Sequence, residues 1–235
     1  MLAKLRRAPV LSKLDLLLTL LPALGWALAV ESRSTIISPR CIVHPETCTQ
    51  QSVLGWDRWT LGFGYGQAEE ISLATQYIAG IIALGVPLGL ALAARKKKFG
   101  MQFGTGLTLM IQTIVWNGLI NEIARLIVER PRPFVYLNPA ANGTDPAHYT
   151  SFYSGHTSFV TAVSLGAIFL LMGGAAPKRV THFMIGFCSA LILTTATSRV
   201  LAGKHFPTDV ISAMLAASLI ALLVAQAHRP SRSWP

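Results

Sequence analysis

The 235-residue chain has few charged side chains. Asp, Glu, Lys and Arg make up only 13% of it, whereas apolar residues make up 52%. In a typical globular protein about 25% of the residues are charged. This shortage argues against an ordinary soluble domain and indicates that lipid, rather than water, surrounds most of the chain.

Acidic residues are scarcer still. The sequence has 10 Asp and Glu against 20 Lys and Arg, which gives a formal net charge of +10. Such a balance is typical of nucleic-acid binding, of contact with anionic lipid, or of the cytoplasmic loops of a membrane protein. The sequence lacks a stripe of basic and aromatic residues of the nucleic-acid kind, so we expect no nucleic-acid partner.

Cysteine is also rare, with three residues in the chain. Cys188 stands alone in an apolar run and is expected to be a small buried hydrophobic residue. Cys41 and Cys48 lie seven residues apart in a polar segment. They would form a disulfide if that segment faces an oxidising compartment; two free or partly buried thiols are the alternative.

Long apolar runs dominate the sequence. A helix needs about 20 apolar residues to cross a bilayer. Six stretches reach or approach that length: Leu16 to Val30, Ile71 to Ala94, Phe99 to Asn121, Thr157 to Pro177, Val180 to Ser198 and Val210 to Ala227. We therefore predict an all-α, polytopic membrane protein with six transmembrane helices, forming a single integral-membrane domain over residues 1–235.

The first stretch has a second interpretation. Basic residues before it, Lys4, Arg6 and Arg7, and the small residues Ala27-Leu28-Ala29 at its end also describe a secretory signal peptide. Cleavage of such a peptide would remove the first span and leave five.

Basic residues predict the orientation of the spans. With the N-terminus inside, 12 of the 20 Lys and Arg fall in short inner loops and tails, led by the run Arg95 to Lys98. This excess predicts that both termini are inside and that residues 31–70 and 129–156 are outer loops. The first outer loop has an aromatic set suited to the membrane interface, although a mobile loop with a few buried aromatics is the alternative: Trp56, Trp59, Phe63 and Tyr65.

The first polar motif lies at the outer end of the third span and reads Arg125-Leu-Ile-Val-Glu-Arg-Pro-Arg132-Pro133. On a continuous helix Arg125 and Arg132 would share a face, but the two prolines are expected to break the helix before Arg132. The guanidinium fork fits phosphate oxygens, whereas snorkelling at a helix end is the structural alternative. Glu122 and Glu129 are spaced to pair with Arg125.

The second motif, Tyr153-Ser154-Gly155-His156, opens the fourth span. A helix N-terminus offers free N–H groups and the positive end of the helix dipole to an anion. Gly155 would let the backbone approach an anion closely, and Ser154 would cap the helix or donate its hydroxyl. His156 can transfer a proton near neutral pH. An ordinary Ser cap beside an interfacial His is the alternative.

The third motif joins the fifth and sixth spans and contains Ser198-Arg199, His205 and Asp209. Since Asp209 follows His205 by four residues, its carboxylate can reach the imidazole. Such a contact fixes one tautomer and leaves the other ring nitrogen free to attack or to accept a proton. An Asp that only stabilises the start of a helix is the alternative.

The predicted topology brings all three motifs to the outer side of the membrane. Ionisable groups at that depth are unfavourable and are usually functional. Three arginines, two histidines and one carboxylate therefore indicate a site for a ligand with several negative charges.

These motifs resemble those of the type 2 phosphatidic acid phosphatase superfamily, which read Lys-x6-Arg-Pro, Pro-Ser-Gly-His and Ser-Arg-x5-His-x3-Asp. The six-span layout is similar too, and the resemblance covers residues 125–209 but not the first outer loop. The chain departs from the family pattern at two positions, with Arg125 in place of Lys and Tyr153 in place of Pro.

The resemblance implies a role for each matched residue. His205 would be the nucleophile that forms a phosphohistidine, Asp209 would orient and stabilise it, and His156 would be the general acid. The phosphate oxygens would be held by five residues: Arg125, Arg132, Ser154, Gly155 and Arg199. The family works without a metal ion, and the sequence has no carboxylate cluster of the magnesium type, so we expect no metal and no other cofactor.

The implied function is hydrolysis of a lipid phosphate monoester or diphosphate at the outer leaflet. Candidate substrates are undecaprenyl diphosphate, phosphatidylglycerophosphate, phosphatidate and lipid A. The short basic loops favour a bacterial inner membrane, with the site facing the periplasm or the exterior.

Three other functions use the same anion pocket. They are a phosphotransferase that passes the phosphoryl group to another lipid, a vanadate-dependent haloperoxidase, and a transporter or binding protein for an anionic lipid. Known haloperoxidases of this kind are soluble, unlike this chain, and an oriented pair of His205 and Asp209 is not needed for binding alone.

Overall fold

The computed structural model describes residues 12–94, 99–173 and 176–228. In chain order its α-helices are α1 Lys13–Glu31, α2 Arg33–Ile36, α3 Arg40–Val43, α4 Gly55–Arg58, α5 Gly66–Ala93, α6 Phe99–Val128, α7 Pro133–Leu137, α8 Pro139–Asn142, α9 Gly155–Gly173, α10 Lys178–Leu201 and α11 Pro207–Ala227. Short 3-10 helices span Pro45–Cys48, Gln50–Ser52 and Pro146–Tyr149.

Six helices are long and apolar enough to cross a membrane: α1, α5, α6, α9, α10 and α11. This confirms the predicted all-α class with six transmembrane helices, and it identifies the chain as an integral membrane protein.

Helix α9 lies at the centre of the bundle and packs against α5, α6, α10 and α11. The core around it includes Ala79, Met110, Val163 and Cys188, one from each of α5, α6, α9 and α10. Small side chains at such contacts let the helix backbones approach closely. Cys188 is buried and free, as predicted for a small hydrophobic residue.

Helix α1 lies at the edge of the bundle, against α6. The Nε2 of Gln112 donates to the main-chain oxygen of Asp15 (3.1 Å) and to the hydroxyl of Thr19 (3.2 Å). Nearby, the indole of Trp26 lies directly on Gly118, where a side chain would overlap the ring. The remaining surface of α1 exposes a row of leucines to lipid: Leu14, Leu17, Leu21, Leu24 and Leu28.

The N-terminal end of α1 and the C-terminal end of α11 lie at the same end of the bundle. The Nε2 of His228, just after α11, lies 3.7 Å from Oδ1 of Asp15 in the first turn of α1. The other end holds the segments 32–65, 129–154 and 202–206, and we call it the site end. The predicted orientation, like the signal-peptide alternative, depends on basic residues outside the described part of the chain: Lys4, Arg6, Arg7, Arg95, Lys96, Lys97, Lys98, Arg229 and Arg232.

The first long loop is tied to the segment that follows α6. Cys41 and Cys48 form a disulfide with their Cα atoms 5.4 Å apart, so the structure takes the first of the two predicted alternatives. The main-chain N–H of Cys41 donates to the hydroxyl of Tyr149 (3.1 Å), and both residues pack with Val135. The loop thus covers one side of the site end, while Trp56 points outward with 86% of its surface exposed.

The third span is longer than its apolar run. Its apolar stretch ends at Asn121, whereas α6 continues to Val128, and Glu122 and Arg125 pair in its last two turns. The helix stops at Glu129, whose φ of 45° is left-handed. Arg132 precedes α7 as its N-cap. The predicted break before Arg132 is confirmed, and Arg125 and Arg132 therefore do not share one helix face.

Candidate active site

The imidazole of His205 is buried at the site end, in the turn between α10 and α11, with 1% of its surface exposed. Its Nδ1 lies 2.7 Å from the main-chain oxygen of Ser151. A carbonyl oxygen can only accept, so Nδ1 must carry the proton. The other ring nitrogen, Nε2, is then left with its lone pair, which is the state required of a nucleophile or a base.

The spacing of the two residues had predicted a direct contact between the Asp209 carboxylate and the His205 imidazole. In the structure the carboxylate does not hydrogen-bond to His205. Its Oδ2 lies 3.8 Å from Nδ1 of His205. Instead, Oδ2 accepts from the hydroxyl of Ser151 (2.6 Å) and from the main-chain N–H of Phe206 (2.9 Å). A separation of 3.8 Å is short enough for an electrostatic interaction between the carboxylate and the imidazole. Asp209 therefore acts on the imidazole electrostatically and through Ser151.

Three guanidiniums come from three different segments, and each donates a hydrogen bond to one neighbouring side chain. Arg125 donates from Nη1 to Oε1 of Glu122 (2.6 Å), as its spacing predicted. Arg132 donates to the hydroxyl of Thr150 (3.3 Å), and Arg199 donates to the hydroxyl of Ser72 (3.1 Å).

These contacts leave donors to spare. The Nε atom of each of the three arginines is buried and has no hydrogen-bond partner among residues 12–94, 99–173 and 176–228. Buried donors are normally paired, so this group is arranged to receive an anion with several acceptor oxygens.

The start of α9 brings the second motif to the same place. The main-chain N–H of Thr157 donates to the hydroxyl of Ser154 (3.4 Å), so Ser154 caps the helix. A Cβ on Gly155 would lie 2.5 Å from Nη2 of Arg125, and only glycine leaves room for that guanidinium. His156 follows in the first turn, and its buried Nε2 finds no partner in the described part of the chain.

Burial and three nearby arginines affect the charge state of the His205 imidazole. Burial lowers the pKa of the His205 imidazole well below its ordinary value, and the positive charges of Arg199, Arg132 and Arg125 lower it further. The imidazole is consequently neutral near pH 7. The structure thus brings together all eight residues that the motifs predicted: Arg125, Arg132, Ser154, Gly155, His156, Arg199, His205 and Asp209.

Comparison with known proteins identifies the family of the chain. The sequence profile of the PAP2 superfamily matches residues 106–233, more than half of the chain. The chain belongs to the PAP2 superfamily. An undecaprenyl-diphosphatase from Sulfolobus acidocaldarius is 33% identical over 122 residues, which cover 52% of this chain and 54% of that relative. The chain therefore matches about half the length of this curated relative. No solved structure matches the chain.

One arginine next to the PAP2 motifs was not predicted to belong to the site. Arg130 donates from Nη1 to Oδ1 of Asp209 (2.6 Å) and from Nη2 to Oδ2 of Asp57 (2.7 Å). Asp57 lies in the first long loop, before the residues that the PAP2 profile matches. The three sequence motifs assigned no role to Arg130. The sequence offers one indication that Asp57 has a partner, since it is one of just ten acidic residues in the chain.

Two further carboxylates stand beside the PAP2 arginines. Glu122 is shared between Arg125 and Arg33, whose Nε donates to Oε2 of Glu122 (2.6 Å). Glu69, at the start of α5, lies 3.2 Å from Nζ of Lys204 and 3.8 Å from Nη1 of Arg199. Glu129, the other predicted partner of Arg125, forms no ion pair within the described ranges.

Tyr153 fills the position that is usually Pro in PAP2 proteins. Its main-chain oxygen accepts from Nδ2 of Asn121 (2.8 Å) on α6, which holds the start of α9 against the arginine-bearing helix. Burial raises the pKa of Tyr153 to about 12, so the phenol stays neutral and adds no charge to the site.

Proposed function

We propose that this PAP2 protein hydrolyses the phosphate monoester or diphosphate of a lipid through a phosphohistidine intermediate. One observation carries the proposal. A buried imidazole with a fixed tautomer lies among three buried arginines that have unpaired N–H donors. Binding an anion would need the arginines alone, whereas an oriented, neutral imidazole supplies a nucleophile.

In the first step, Nε2 of His205 attacks phosphorus and the bond from phosphorus to the leaving oxygen breaks. His156, in the form protonated on both ring nitrogens that the bound substrate anion favours, donates a proton to that oxygen. Arg125, Arg132 and Arg199 hold the other phosphate oxygens and offset the charge that builds on them. The phosphorylated imidazole keeps its proton on Nδ1 and is positive, and the Asp209 carboxylate 3.8 Å away stabilises that charge.

In the second step, a water molecule attacks the phosphorus of the phosphohistidine. The now neutral His156 takes a proton from this water, the N–P bond breaks, and inorganic phosphate leaves. Both histidines return to their starting states, so each cycle consumes one water. Every group in the two steps belongs to the protein, and a chelator is expected to leave turnover unchanged.

The substrate we favour is a lipid diphosphate. The relative from Sulfolobus acidocaldarius is named an undecaprenyl-diphosphatase, and the site lies at the ends of the spans, where a headgroup can enter while its tails remain in lipid. The disulfide between Cys41 and Cys48 supports a site end in an oxidising compartment, which would be the periplasm or the exterior of a bacterial inner membrane.

The test is phosphate release by purified protein in detergent with EDTA present. The substrate panel is undecaprenyl diphosphate, phosphatidylglycerophosphate, phosphatidate and lipid A. We expect release that the His205→Ala variant loses and that His182→Ala, an exposed position on α10, retains. Rapid quenching should trap phosphate on His205 as an acid-labile, base-stable adduct.

Other outcomes would point elsewhere. Transfer of labelled phosphate to a second lipid, without release, would replace hydrolysis by a phosphotransferase. Tight lipid binding without turnover, and without a change in His205→Ala, would leave a binding protein. Activity that EDTA abolishes would contradict the metal-free mechanism.

A further inference from the structure

An ionic chain leads from the first long loop to Asp209 in the predicted site, beside the catalytic imidazole. Its members are Asp57, Arg130 and Asp209. Both carboxylates are fully buried, and Arg130 keeps 14% of its side-chain surface exposed. Buried charges are strongly unfavourable unless they are paired and hydrogen-bonded. A chain of three charged groups in this position therefore indicates a functional role.

The Arg130 guanidinium has the geometry of a clamp between the two carboxylates. Nη1 donates to Oδ1 of Asp209, Nη2 donates to Oδ2 of Asp57, and Nη1 also reaches the hydroxyl of Thr208 (2.8 Å). The face of the guanidinium lies 4.2 Å from the ring centroid of Phe206. A planar fork can bridge two carboxylates in this way, whereas the single nitrogen of lysine cannot.

Arg130 is connected to Ser151 through its main chain directly and through its side chain by way of Asp209. Its main-chain oxygen accepts from the N–H of Ser151 (3.0 Å). Its side chain holds Asp209, which accepts from the hydroxyl of Ser151. Ser151 in turn presents its main-chain oxygen to Nδ1 of His205. The position of the atom that fixes the His205 tautomer therefore depends on Arg130.

Asp57 fixes the other end of the chain. Its Oδ1 accepts from the main-chain N–H of Thr208 (3.1 Å), and its Oδ2 accepts from the Thr208 hydroxyl (2.6 Å). Thr208 lies in the first turn of α11, where an anion also interacts favourably with the helix dipole. The next residue is Asp209. A loop residue thus sets the register of the turn that carries the catalytic carboxylate.

We propose that Asp57 and Arg130 are positioning residues that lock the neutral His205 imidazole in its Nδ1–H tautomer through Asp209 and Ser151. Both Nη groups of Arg130 are engaged by Asp209 and Asp57, so neither residue is assigned to phosphate binding. The inference rests on the proposed function for its catalytic consequence, but the lock itself is a property of the free protein. It also gives the first long loop a role in a site whose PAP2 motifs all lie beyond residue 124.

The kinetic test uses Asp57→Asn and Arg130→Gln on the most active lipid of the panel. We expect kcat to fall at least about tenfold, because each change removes a hydrogen bond to a charged group. KM and the inhibition constant of inorganic phosphate should change less than about threefold, since Arg125, Arg132 and Arg199 remain in place. Glu46→Gln, a carboxylate-to-amide change at the surface of the same loop, is the matched control and should match wild type.

Graded variants separate positioning from loss of fold. Arg130→Lys keeps the charge but loses the bridge, and it should recover only part of the lost kcat. Thr208→Val removes the hydroxyl contacts while Arg130 still bridges both carboxylates, so its kcat should fall less than that of Asp57→Asn. A merely structural role would instead lower the amount of folded protein without changing the kcat of the folded fraction.

The tautomer is measured directly by NMR of protein labelled with 15N in the histidine rings. The His205 signals are assigned by their absence in His205→Ala. Wild type and Glu46→Gln should show one neutral tautomer with the proton on Nδ1. Asp57→Asn and Arg130→Gln should show a mixture of the two neutral tautomers.

These readouts distinguish the two proposals. If the tautomer lock is lost in the variants while even wild type releases no phosphate, the positioning role stands and the phosphatase fails. If wild type is active and the variants keep both the single tautomer and full kcat, the positioning role is overturned. A fall in kcat with the tautomer unchanged also overturns it, because the effect would then have another cause.

Discussion

The Nδ1 of His205 and the main-chain oxygen of Ser151 lie 2.7 Å apart, and this bond fixes the imidazole tautomer. The Ser151 hydroxyl meanwhile donates to Asp209. Ser151 thus connects the imidazole of His205 to the carboxylate of Asp209, which spacing alone would have placed beside it. A change of the Ser151 side chain leaves the main-chain contact with His205 in place. The contributions of the Ser151 carbonyl and of the Ser151 hydroxyl can therefore be measured separately.

The first prediction follows from that separation. Ser151→Ala removes the hydroxyl but keeps the carbonyl, so we expect kcat to fall roughly tenfold, the value of one hydrogen bond to a charged group. Asp209→Asn should lower kcat by about 10²-fold or more, because the charge that stabilises the imidazolium is lost. Steady-state kinetics with Ser189→Ala, an exposed serine on α10, as control would measure both. An equal fall in kcat in Ser151→Ala and Asp209→Asn would contradict separate contributions of the hydroxyl and of the carboxylate charge.

The second prediction concerns pH. Because burial and then three arginines lower the pKa of His205, the ring releases its proton at a lower pH than free imidazole and stays neutral above that pH. NMR of ring-labelled protein should therefore show neutral His205 at pH 6.5, where about half of an unperturbed imidazole is protonated. Bound phosphate offsets the arginine charges and should raise this midpoint. A midpoint at or above 6.5 in the free protein would be inconsistent with the buried, arginine-lined environment.

A third prediction tests the close approach of Arg125 to the start of α9. In Gly155→Ala the new methyl group would overlap Nη2 of Arg125, so the guanidinium must move away from the phosphate position. We expect kcat/KM to fall by about 10²-fold, as small displacements of positioning groups do. Gly186→Ala is the control, since a Cβ there meets no atom within 4 Å. Unchanged activity in Gly155→Ala would show that Arg125 does not bind the substrate from this position.

The fourth prediction concerns stability. Glu122 is 2% exposed and is shared by Arg33 and Arg125. Replacing it with Gln leaves two guanidiniums without their counter-charge, and the free energy of unfolding should fall by on the order of 3 kcal/mol. Unfolding in mixed detergent micelles would measure the change. The exposed Glu70→Gln should have almost no effect, and a similar loss in both variants would argue against a specific role of the Glu122 pairing.

The fifth prediction concerns orientation. Asp145 is exposed at the site end, and Lys178, the first residue of α10, is exposed at the opposite end. With the site end outside, a membrane-impermeant maleimide should label Asp145→Cys on intact cells. Lys178→Cys should react only after permeabilisation. The reverse pattern would place the site at the inner face and overturn the predicted topology.

Much of the architecture could be predicted because it depends on local composition. Apolar runs such as Val210 to Ala227 determine a span by length and hydropathy alone, and prolines predicted the break between Arg125 and Arg132. The apolar run of the third span ends at Asn121, whereas α6 continues to Val128 and holds buried polar groups such as Glu122 in its last turns. Their burial is possible only because partners such as Arg33 come from distant parts of the chain.

The six spans, the eight motif residues and the PAP2 resemblance could be predicted from the sequence, because each depends on short contiguous stretches of the chain. The groups that hold His205 could be identified only in the folded protein. Ser151 supplies a main-chain oxygen that carries no sequence signature, and Asp57 comes from a loop more than 70 positions before Arg130. Which charges meet in a buried site depends on how the helices and loops assemble, and residue spacing along one helix cannot report contacts between segments so far apart.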